Sequence, residues 1–200
     1  MLPRRRGATR ARAGQWYEEI MPELGPPTIA VHASFLAAMA EFVAEGRGEG
    51  DGSMIGYDIA TFGPTWDSTE GFDRYVSHLH DEAYEETPRP AHHVPSTTLW
   101  WIDRSEYLGR ISIRHRLTPA LHEVGGHIGY DVRPSARRRG HATQMLRLAL
   151  PWAQRLGIDP ALLSCDSTNV ASRLVIERNG GVFDDERHGK LRYWLPTSAE

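Results

Sequence analysis

Residues 132–142 (VRPSARRRGHA) combine glycine, small residues and arginines where a predicted strand meets the start of a predicted helix. The N–H groups in the first turn of a helix have no partners inside the helix, and the helix dipole adds positive character there. Such a turn binds phosphate or pyrophosphate through its main chain. Gly140 matters because a Cβ at this position would push into a ligand on the turn. The stretch therefore predicts an anion-binding turn.

Two other phosphate-binding turns are excluded by their residue patterns. The stretch lacks the Lys-Ser/Thr pair of a nucleoside-triphosphate P-loop, and it lacks the G-x-G-x-x-G of dinucleotide-binding folds. The plain alternative is that residues 137–139 form a solvated basic turn. The anion-binding interpretation is favoured because an anion site also requires the neighbouring Gly140 and the strand-to-helix position.

Histidines at positions 78, 80, 92 and 93 raise the question of a metal site. His78 and His80 point to different faces of a helix, and no cysteine or carboxylate spacing completes a set of ligands. The sequence therefore predicts no metal site. We interpret these histidines as structural or substrate-side residues.

The elements around the turn follow from the periodicity of the apolar residues. Helical spacing recurs in residues 30–44, in 68–84 and in a long helix that Ser135 opens and Gly157 ends, with Pro151 predicted to kink it. The other predicted elements are strands at 96–102, 107–117, 125–132 and 162–165, a helix over 169–179, and a closing pair of strands at 182–183 and 191–195. This order predicts an α/β domain with a mixed central sheet flanked by helices. The Gly-rich run 46–56 is predicted to be a flexible acidic loop.

Two motifs carry a resemblance to a known family. The pattern R-x-x-G-x-A at 137–142, placed after a strand and opening a helix, is similar to the R/Q-x-x-G-x-G/A signature of the GNAT N-acetyltransferases. The pattern N-x-x-S at 169–172, followed by ERNGG at 177–181, resembles the family's N-x-x-A…E-K-x-G-F helix. The wider sequence resembles a bacterial subgroup of this family, and the resemblance covers residues 96–195.

The resemblance implies a GNAT-like sheet and acetyl-CoA as the acyl donor, without a metal. The acyl group would lie where the strands at 126–132 and 162–166 splay apart, and backbone groups of Tyr130 and Val132 would pair with the pantetheine amides. Asn169, which is also a plain N-cap by position, and Ser172 would face the pantetheine. The amides that would hold the pyrophosphate belong to Arg137, Arg138, Arg139, Gly140, His141, Ala142 and Thr143.

The residues that serve as general acid and general base in the family are not found at the corresponding positions of this chain. The family often places a tyrosine seven residues after the asparagine, where this chain has Ile176, and its strand glutamate falls near Gly126. Glu123 and His127 flank that glycine and are the candidate catalytic residues, with His127 favoured because its intrinsic pKa suits a base. The alternative is a histidine tucked under the sheet, with the positioning of donor and acceptor supplying most of the rate.

Two functions remain open at this point. The first is an N-acetyltransferase that acts by direct attack of a primary amine, which would be a small cationic amine, an antibiotic or a protein lysine. The second is a non-catalytic acyl-CoA-binding regulatory domain, which the missing tyrosine and glutamate favour. The intact turn and the helix at 169–179 fit both.

Length and charge limit the organisation of the chain and its partners. The 200 residues fit one domain over 20–200, with acceptor-side helices in 20–95 and the acyl-CoA core in 96–200, preceded by a basic arm over 1–19. Residues 13–200 carry all 26 acids against 18 of the 23 basic residues, which disfavours nucleic acid and favours a cationic acceptor. An acidic acceptor cleft is expected, built partly from residues 45–85, with Glu45, Glu49, Asp51, Asp67 or Glu70 at its mouth.

The remaining features concern the compartment. A single cysteine, Cys165, excludes internal disulfides and is interpreted as a small buried hydrophobe. No apolar run approaches the roughly 18 residues of a membrane span, and no secretory signal follows the basic start. A cytoplasmic location is therefore expected, and a homodimer is compatible with the sequence.

Overall fold

The chain forms one mixed sheet with helices on both faces. The computed structural model describes residues 22–198, so the basic arm expected over 1–19 lies outside the described residues. Within them the strands are β1 (Glu23–Gly25), β2 (Ser96–Asp103), β3 (Glu106–Arg114), β4 (Ile128–Val132), β5 (Ala161–Asp166), β6 (Val182–Arg187) and β7 (Lys190–Leu195). Their order is β1-β2-β3-β4-β5-β7-β6. Neighbouring strands are antiparallel except β4 and β5, which are parallel, so the predicted mixed sheet is confirmed.

The helices cover the sheet because its strands are apolar on both faces. The α-helices are α1 (His32–Ala44), α2 (Met54–Phe62), α3 (Thr69–Asp81), α4 (Pro119–Glu123), α5 (His141–Arg155) and α6 (Val170–Arg178). Successive strand residues point to opposite faces, so Trp101 packs with Met145 of α5 whereas Trp100 packs with Phe35 of α1. None of the helices within 22–198 is long and apolar enough to span a bilayer.

The long helix predicted from Ser135 begins later than expected. Pro134–Ala136 forms a 3-10 turn, and α5 starts only at His141. Between them, Arg138 and Gly140 have φ values of +64° and +83°, a left-handed conformation that an α-helix does not accommodate. The strand predicted from 125 likewise starts at Ile128, because Gly125 and Gly126 have positive φ values.

Other differences lie where local patterns were ambiguous. The run predicted to be a flexible loop over 46–56 gives way to α2, whose N-cap Ser53 accepts a hydrogen bond from the Gly56 amide at 3.0 Å. The strands at 96–102 and 107–117 are confirmed as β2 and β3, although β3 ends at Arg114. Helix α5 continues past Pro151 to Arg155, and the exposed position of this proline leaves the freed carbonyl accessible to water.

Candidate functional site

A groove opens where β4 and β5 diverge. These two strands share a single parallel register pair, Ile128 with Leu163, whereas β4 pairs with β3 along its whole length. The Arg133 amide donates to the Leu108 carbonyl at 2.9 Å, so the alternation of the ladder directs the backbone groups of Tyr130 and Val132 away from β3 and towards the opening. The divergence therefore leaves polar backbone on β4 available to a ligand. We call this opening the β4–β5 groove.

The β4–β5 groove has a volume of about 520 Å³ and runs between β4, the start of α5 and α6. Arg139 is absent from its lining, while the other predicted donor-binding residues all line it. These are Tyr130, Val132, Arg137, Arg138, Gly140, His141, Ala142, Thr143, Asn169 and Ser172.

The N-terminus of α5 faces this groove without a side-chain cap. Its N-cap is Gly140, whose φ of +83° a residue with a side chain adopts only with strain, and a Cβ built there would meet no protein atom within 4 Å. The first-turn amides of α5 therefore combine unmet hydrogen-bonding capacity with the positive end of the helix dipole. This end of the groove is chemically suited to a phosphate group.

Two carboxylates at the C-terminal end of α1 hold the turn that precedes α5. The Arg137 guanidinium donates to both oxygens of Glu45 at 2.8 Å, and its Nε donates to the Val132 carbonyl at 3.0 Å. Glu41 accepts from the Ser135 amide at 2.8 Å and from Arg133 Nε at 2.7 Å. Partial burial raises the pKa of Glu41, but these hydrogen bonds outweigh it and bring the pKa below its ordinary value. Arg137, the arginine of the sequence motif, therefore lines the groove and is also paired with a carboxylate.

Helix α6 forms the opposite wall through short polar contacts. Asn169 Oδ1 accepts from the Ser172 amide at 3.0 Å, which makes it the N-cap of α6. The Tyr130 hydroxyl and Ser172 Oγ lie 2.8 Å apart, so the wall formed by α6 is tied to β4. Ile176, which occupies the position of the family's tyrosine, is buried in the core with 1% of its surface exposed.

The two candidate catalytic residues lie away from the β4–β5 groove. The Leu162 amide donates to His127 Nδ1 at 2.9 Å, and His127 is buried under the junction of β4 and β5. Glu123 ends α4, is partly exposed, and accepts from Arg187 Nη1 at 2.6 Å. Neither residue lines the groove or the second cavity described below.

We expect His127 to make the stability of the protein fall in mild acid. Burial and the nearby Arg114 charge lower its pKa from 6.5 to about 4. Between these two pH values the unfolded chain binds a proton that the folded chain does not. The contribution of His127 to the free energy of unfolding is therefore fully present above about pH 6.5. It is lost as the pH falls towards 4, by at most about 1.4 kcal/mol per pH unit. Urea unfolding at several pH values measures this slope.

The matched control is a histidine at the surface. His127→Gln should flatten the slope between pH 6.5 and 4, whereas the exposed His92→Gln should leave it unchanged. Equal slopes in the native protein and His127→Gln would contradict the assignment of a buried neutral imidazole.

A second cavity of about 620 Å³ lies between α2 and β3, and we call it the α2–β3 cavity. Alternate residues of β3, namely Arg110, Ser112 and Arg114, line its floor. Gly129 of β4 adjoins it, because a Cβ at this glycine would lie 2.7 Å from Met54 Cε. The absent side chain lets the start of α2 lie against β4.

One of the acids predicted for a cleft mouth lies at this cavity. Of the five, only Glu49 lines it, together with Asp58 and Glu82. Glu45 binds Arg137, and Asp51 lies 2.9 Å from Arg47 Nε. Asp67 and Glu70 are exposed and do not line the cavity. The sequence left open which of these acids would lie at a cleft mouth, because charge along the chain does not show which acids an arginine of another element neutralises.

Sequence reasoning missed the buried polar group that fixes α2 to the sheet. Asp58 accepts from Arg110 of β3 and from the Tyr75 hydroxyl of α3, the latter at 2.7 Å. Burial lowers the pKa of Arg110, but the Asp58 charge more than restores it, so the net shift is upwards. The available signal was the sequence RISIR at 110–114, in which two arginines interrupt an otherwise buried strand.

Residues 22–198 contain no group of three or more His, Cys, Asp or Glu side chains arranged to hold a metal ion. The histidines at 92 and 93 instead lie on the wall of the α2–β3 cavity, while His78 Nε2 lies 3.6 Å from Glu82 Oε1.

Comparison with known proteins places this geometry among acetyl transfer enzymes. The family model described as an acetyltransferase (GNAT) domain matches residues 54–182. The structure of RimL, a ribosomal L7/L12 alpha-N-protein acetyltransferase in complex with coenzyme A, is similar with a TM-score of 0.57 and 18% identity over 88% of this chain and 94% of that one. The structure of the ribosomal-protein-S5-alanine acetyltransferase of Vibrio fischeri is similar with a TM-score of 0.60 and 11% identity, over 88% of this chain and 93% of that one.

A third similar structure is the microcin C7 self-immunity acetyltransferase MccE in complex with acetyl-CoA and AMP, with a TM-score of 0.57 and 13% identity over 88% of this chain and 92% of that one. At these identities the likeness concerns the fold. A comparison with curated protein sequences returned no match.

Proposed function

The chain belongs to the acetyltransferase (GNAT) family, and we propose that it binds acetyl-CoA in the β4–β5 groove and transfers the acetyl group to a primary amine. One observation carries this proposal: the uncapped start of α5 opens onto the same groove as the β4 backbone that pairs with neither neighbouring strand. A pyrophosphate and a pantetheine arm need these two surfaces side by side. The similar structures of RimL and MccE hold coenzyme A and acetyl-CoA respectively, which supports this donor.

The proposed donor contacts divide into two groups. The amides of residues 137–143 hold the pyrophosphate, and the backbone groups of Tyr130 and Val132 pair with the pantetheine amides. Asn169 and Ser172 face the pantetheine from the start of α6, where both line the groove. Because Arg139 lies outside the lining, only its amide is assigned to the donor.

The proposed reaction is a direct attack. A neutral amine nitrogen forms a bond to the thioester carbonyl carbon, the carbon–sulfur bond breaks, and the amine loses a proton while the thiolate gains one. An alkylamine has a pKa of about 10 and is mostly protonated at neutral pH, so the site must admit the neutral form or remove a proton. Holding both reactants in place supplies a large part of the acceleration.

We propose that Glu82 takes the amine proton, directly or through water, in place of His127 and Glu123. Glu82 lines the α2–β3 cavity and is only partly exposed. Burial raises its pKa, and nearby His78 offsets part of that rise. A carboxylate with a raised pKa is a better proton acceptor near neutral pH than one with an ordinary pKa.

The second candidate function is a non-catalytic acyl-CoA-binding regulatory domain. The observation that favours it is the buried Ile176, which cannot donate a proton to the departing thiolate. Such a domain would bind acetyl-CoA and release no free CoA.

A measurement of free CoA release with a panel of amines tests the function. We expect release well above the rate without acceptor for at least one amine, and calorimetric binding of acetyl-CoA in the absence of acceptor. Binding without release for any amine would support the regulatory domain. Failure to bind acetyl-CoA would contradict both functions.

The surroundings of the reaction are also proposed. We place the protein in the cytoplasm, in keeping with its single thiol, Cys165. A homodimer is proposed through the edge strand β6, where Val182 and Phe183 are exposed.

A further inference from the structure

Arg114 is a partly buried arginine of the α2–β3 cavity that lacks a counter-ion. Within residues 22–198 no carboxylate lies within 4.0 Å of its guanidinium, although Arg110 on the same face of β3 is paired with Asp58. Its Nη1 donates to the Gly126 carbonyl at 3.2 Å and to the Gly125 carbonyl at 3.4 Å, and these neutral oxygens leave the charge without a counter-ion. Even partial removal of a cation from water without an opposite charge is costly, so the position calls for an explanation.

The neighbouring surface arginine provides the contrast. Arg116 follows two residues later, is exposed, and forms a two-point pair with Glu85 at 2.6 and 2.8 Å. The arginine in water is thus neutralised by the protein, and the one that lines a cavity is not. Burial and the charge of Arg110 lower the pKa of Arg114, which is the effect of a cation held without a partner.

Arg114 also lies close to the proposed reaction centre. A Cβ built on Gly129 would be 4.0 Å from Arg114 Nη1, so the guanidinium lies against the β4 backbone next to Tyr130. On the other side of β4 the β4–β5 groove begins, because the pairing with β5 ends at Ile128. A group bound to Arg114 would therefore be near an acetyl group held at the splay.

The other charges of the cavity lie elsewhere. Asp58 forms an ion pair with Arg110 and a hydrogen bond with Tyr75. Glu49 and the histidines at 92 and 93 are exposed at the rim of the cavity. Burial raises the pKa of Glu82, and the nearby charges of His78, Asp58 and Arg110 modify that rise. The cavity thus offers a carboxylate at Glu82 and an uncompensated cation at Arg114 in different places.

We propose that the acceptor is an amine that also carries an anionic oxygen group, a carboxylate or a phosphate, and that this group binds Arg114. The proposal rests on the proposed acetyl transfer and narrows its acceptor from a cationic amine to a zwitterionic or anionic one. The planar guanidinium matches both oxygen groups with two parallel hydrogen bonds. Its place beside β4 requires that the anionic group lie only a few bonds from the attacking nitrogen.

The test compares acceptors that differ only in the anionic group. The series is glycine, glycinamide, β-alanine, β-alaninamide and O-phosphoethanolamine, with kcat/KM corrected for the fraction of neutral amine. We expect a preference of at least about tenfold for an anionic acceptor over its neutral partner, the usual value of a hydrogen bond to a charged group. A preference for glycine and β-alanine would show that the group bound by Arg114 is a carboxylate. A preference for O-phosphoethanolamine would show that it is a phosphate.

Variants then attach the preference to Arg114. Arg114→Gln should abolish it while leaving the affinity for acetyl-CoA unchanged, and Arg114→Lys should retain part of it because the charge remains. Arg116→Gln is the matched control and should behave as the native protein. Thermal unfolding of each variant identifies any loss of fold, in which case Arg114→Lys alone decides.

Several results would overturn the inference. Equal kcat/KM for the charged and neutral partners in the native protein would do so while leaving acetyl transfer intact. A uniform loss for all acceptors in Arg114→Gln would mean that Arg114 acts on the reaction itself. If no amine is acetylated, calorimetry with glycine and O-phosphoethanolamine in the presence of CoA decides separately: binding lost in Arg114→Gln supports the site, and binding by neither probe refutes it.

Discussion

Gly140→Glu is expected to abolish tight binding of acetyl-CoA while the protein stays folded. The Cβ position at Gly140 opens onto the β4–β5 groove with no protein atom within 4 Å, so the new side chain would enter the ligand space without disturbing the core. There it adds bulk and a negative charge where a pyrophosphate is proposed to bind. We expect a loss of at least about 2–4 kcal/mol, or roughly 30- to 1,000-fold in the dissociation constant measured by calorimetry.

The chain offers a closely matched control for this substitution. Gly157 at the other end of α5 also has a left-handed φ, +76°, and also has no atom within 4 Å of its Cβ position. It lies about 25 Å along the helix from Gly140. Gly157→Glu should therefore reproduce the backbone strain without weakening acetyl-CoA binding. A folded Gly140→Glu protein that binds the donor normally would show that this turn is not the CoA site.

The contribution of Arg137 is expected to be smaller. Arg137→Ala removes one charge at the edge of the groove but leaves the amides of α5 in place. The Arg137 charge is already partly neutralised by its two hydrogen bonds to Glu45, so it attracts a bound phosphate less strongly. An Arg137→Ala loss as large as that of Gly140→Glu would mean that side-chain charge rather than backbone geometry dominates the binding.

Asp58→Ala is expected to have the largest effect on stability. Arg110 is only 4% exposed, and the substitution would leave its charge unpaired and the buried Tyr75 hydroxyl without its acceptor. Removing one partner of a buried ion pair costs about 3–5 kcal/mol, a large part of the stability of a domain. The free energy of unfolding in urea measures the loss.

Two companion variants separate pairing from burial. Asp58→Leu combined with Arg110→Met removes both charges and should recover most of the lost stability, because no uncompensated charge remains. Glu85→Gln breaks an exposed pair with Arg116 and should have no measurable effect. A loss in Asp58→Ala no larger than that in Glu85→Gln would contradict the role assigned to this buried pair.

The secondary structure was predictable where one periodicity covered a whole element. Helices α1 and α3 and strands β2 and β5 were anticipated from apolar spacing, and Asn169 was correctly identified as the N-cap of α6. The start of α5 was misplaced by six residues because Arg138 and Gly140 adopt left-handed φ values that the sequence only partly indicates. Helix α2 was missed because glycines before it resemble a loop.

The amino-acid sequence by itself determined the family, and it indicated the turn before α5 that is proposed to bind an anion, since both depend on neighbouring residues: a glycine at 140, a strand before it and a helix after it. Only the tertiary structure decided which charges remain free. The carboxylates of Glu41 and Glu45 meet arginines more than 90 positions away, His127 meets the Leu162 amide, and Arg114 meets no acid within the described residues. Such pairings depend on how the sheet and helices bring distant segments together, and a charge acts on its neighbours in space rather than on those along the chain.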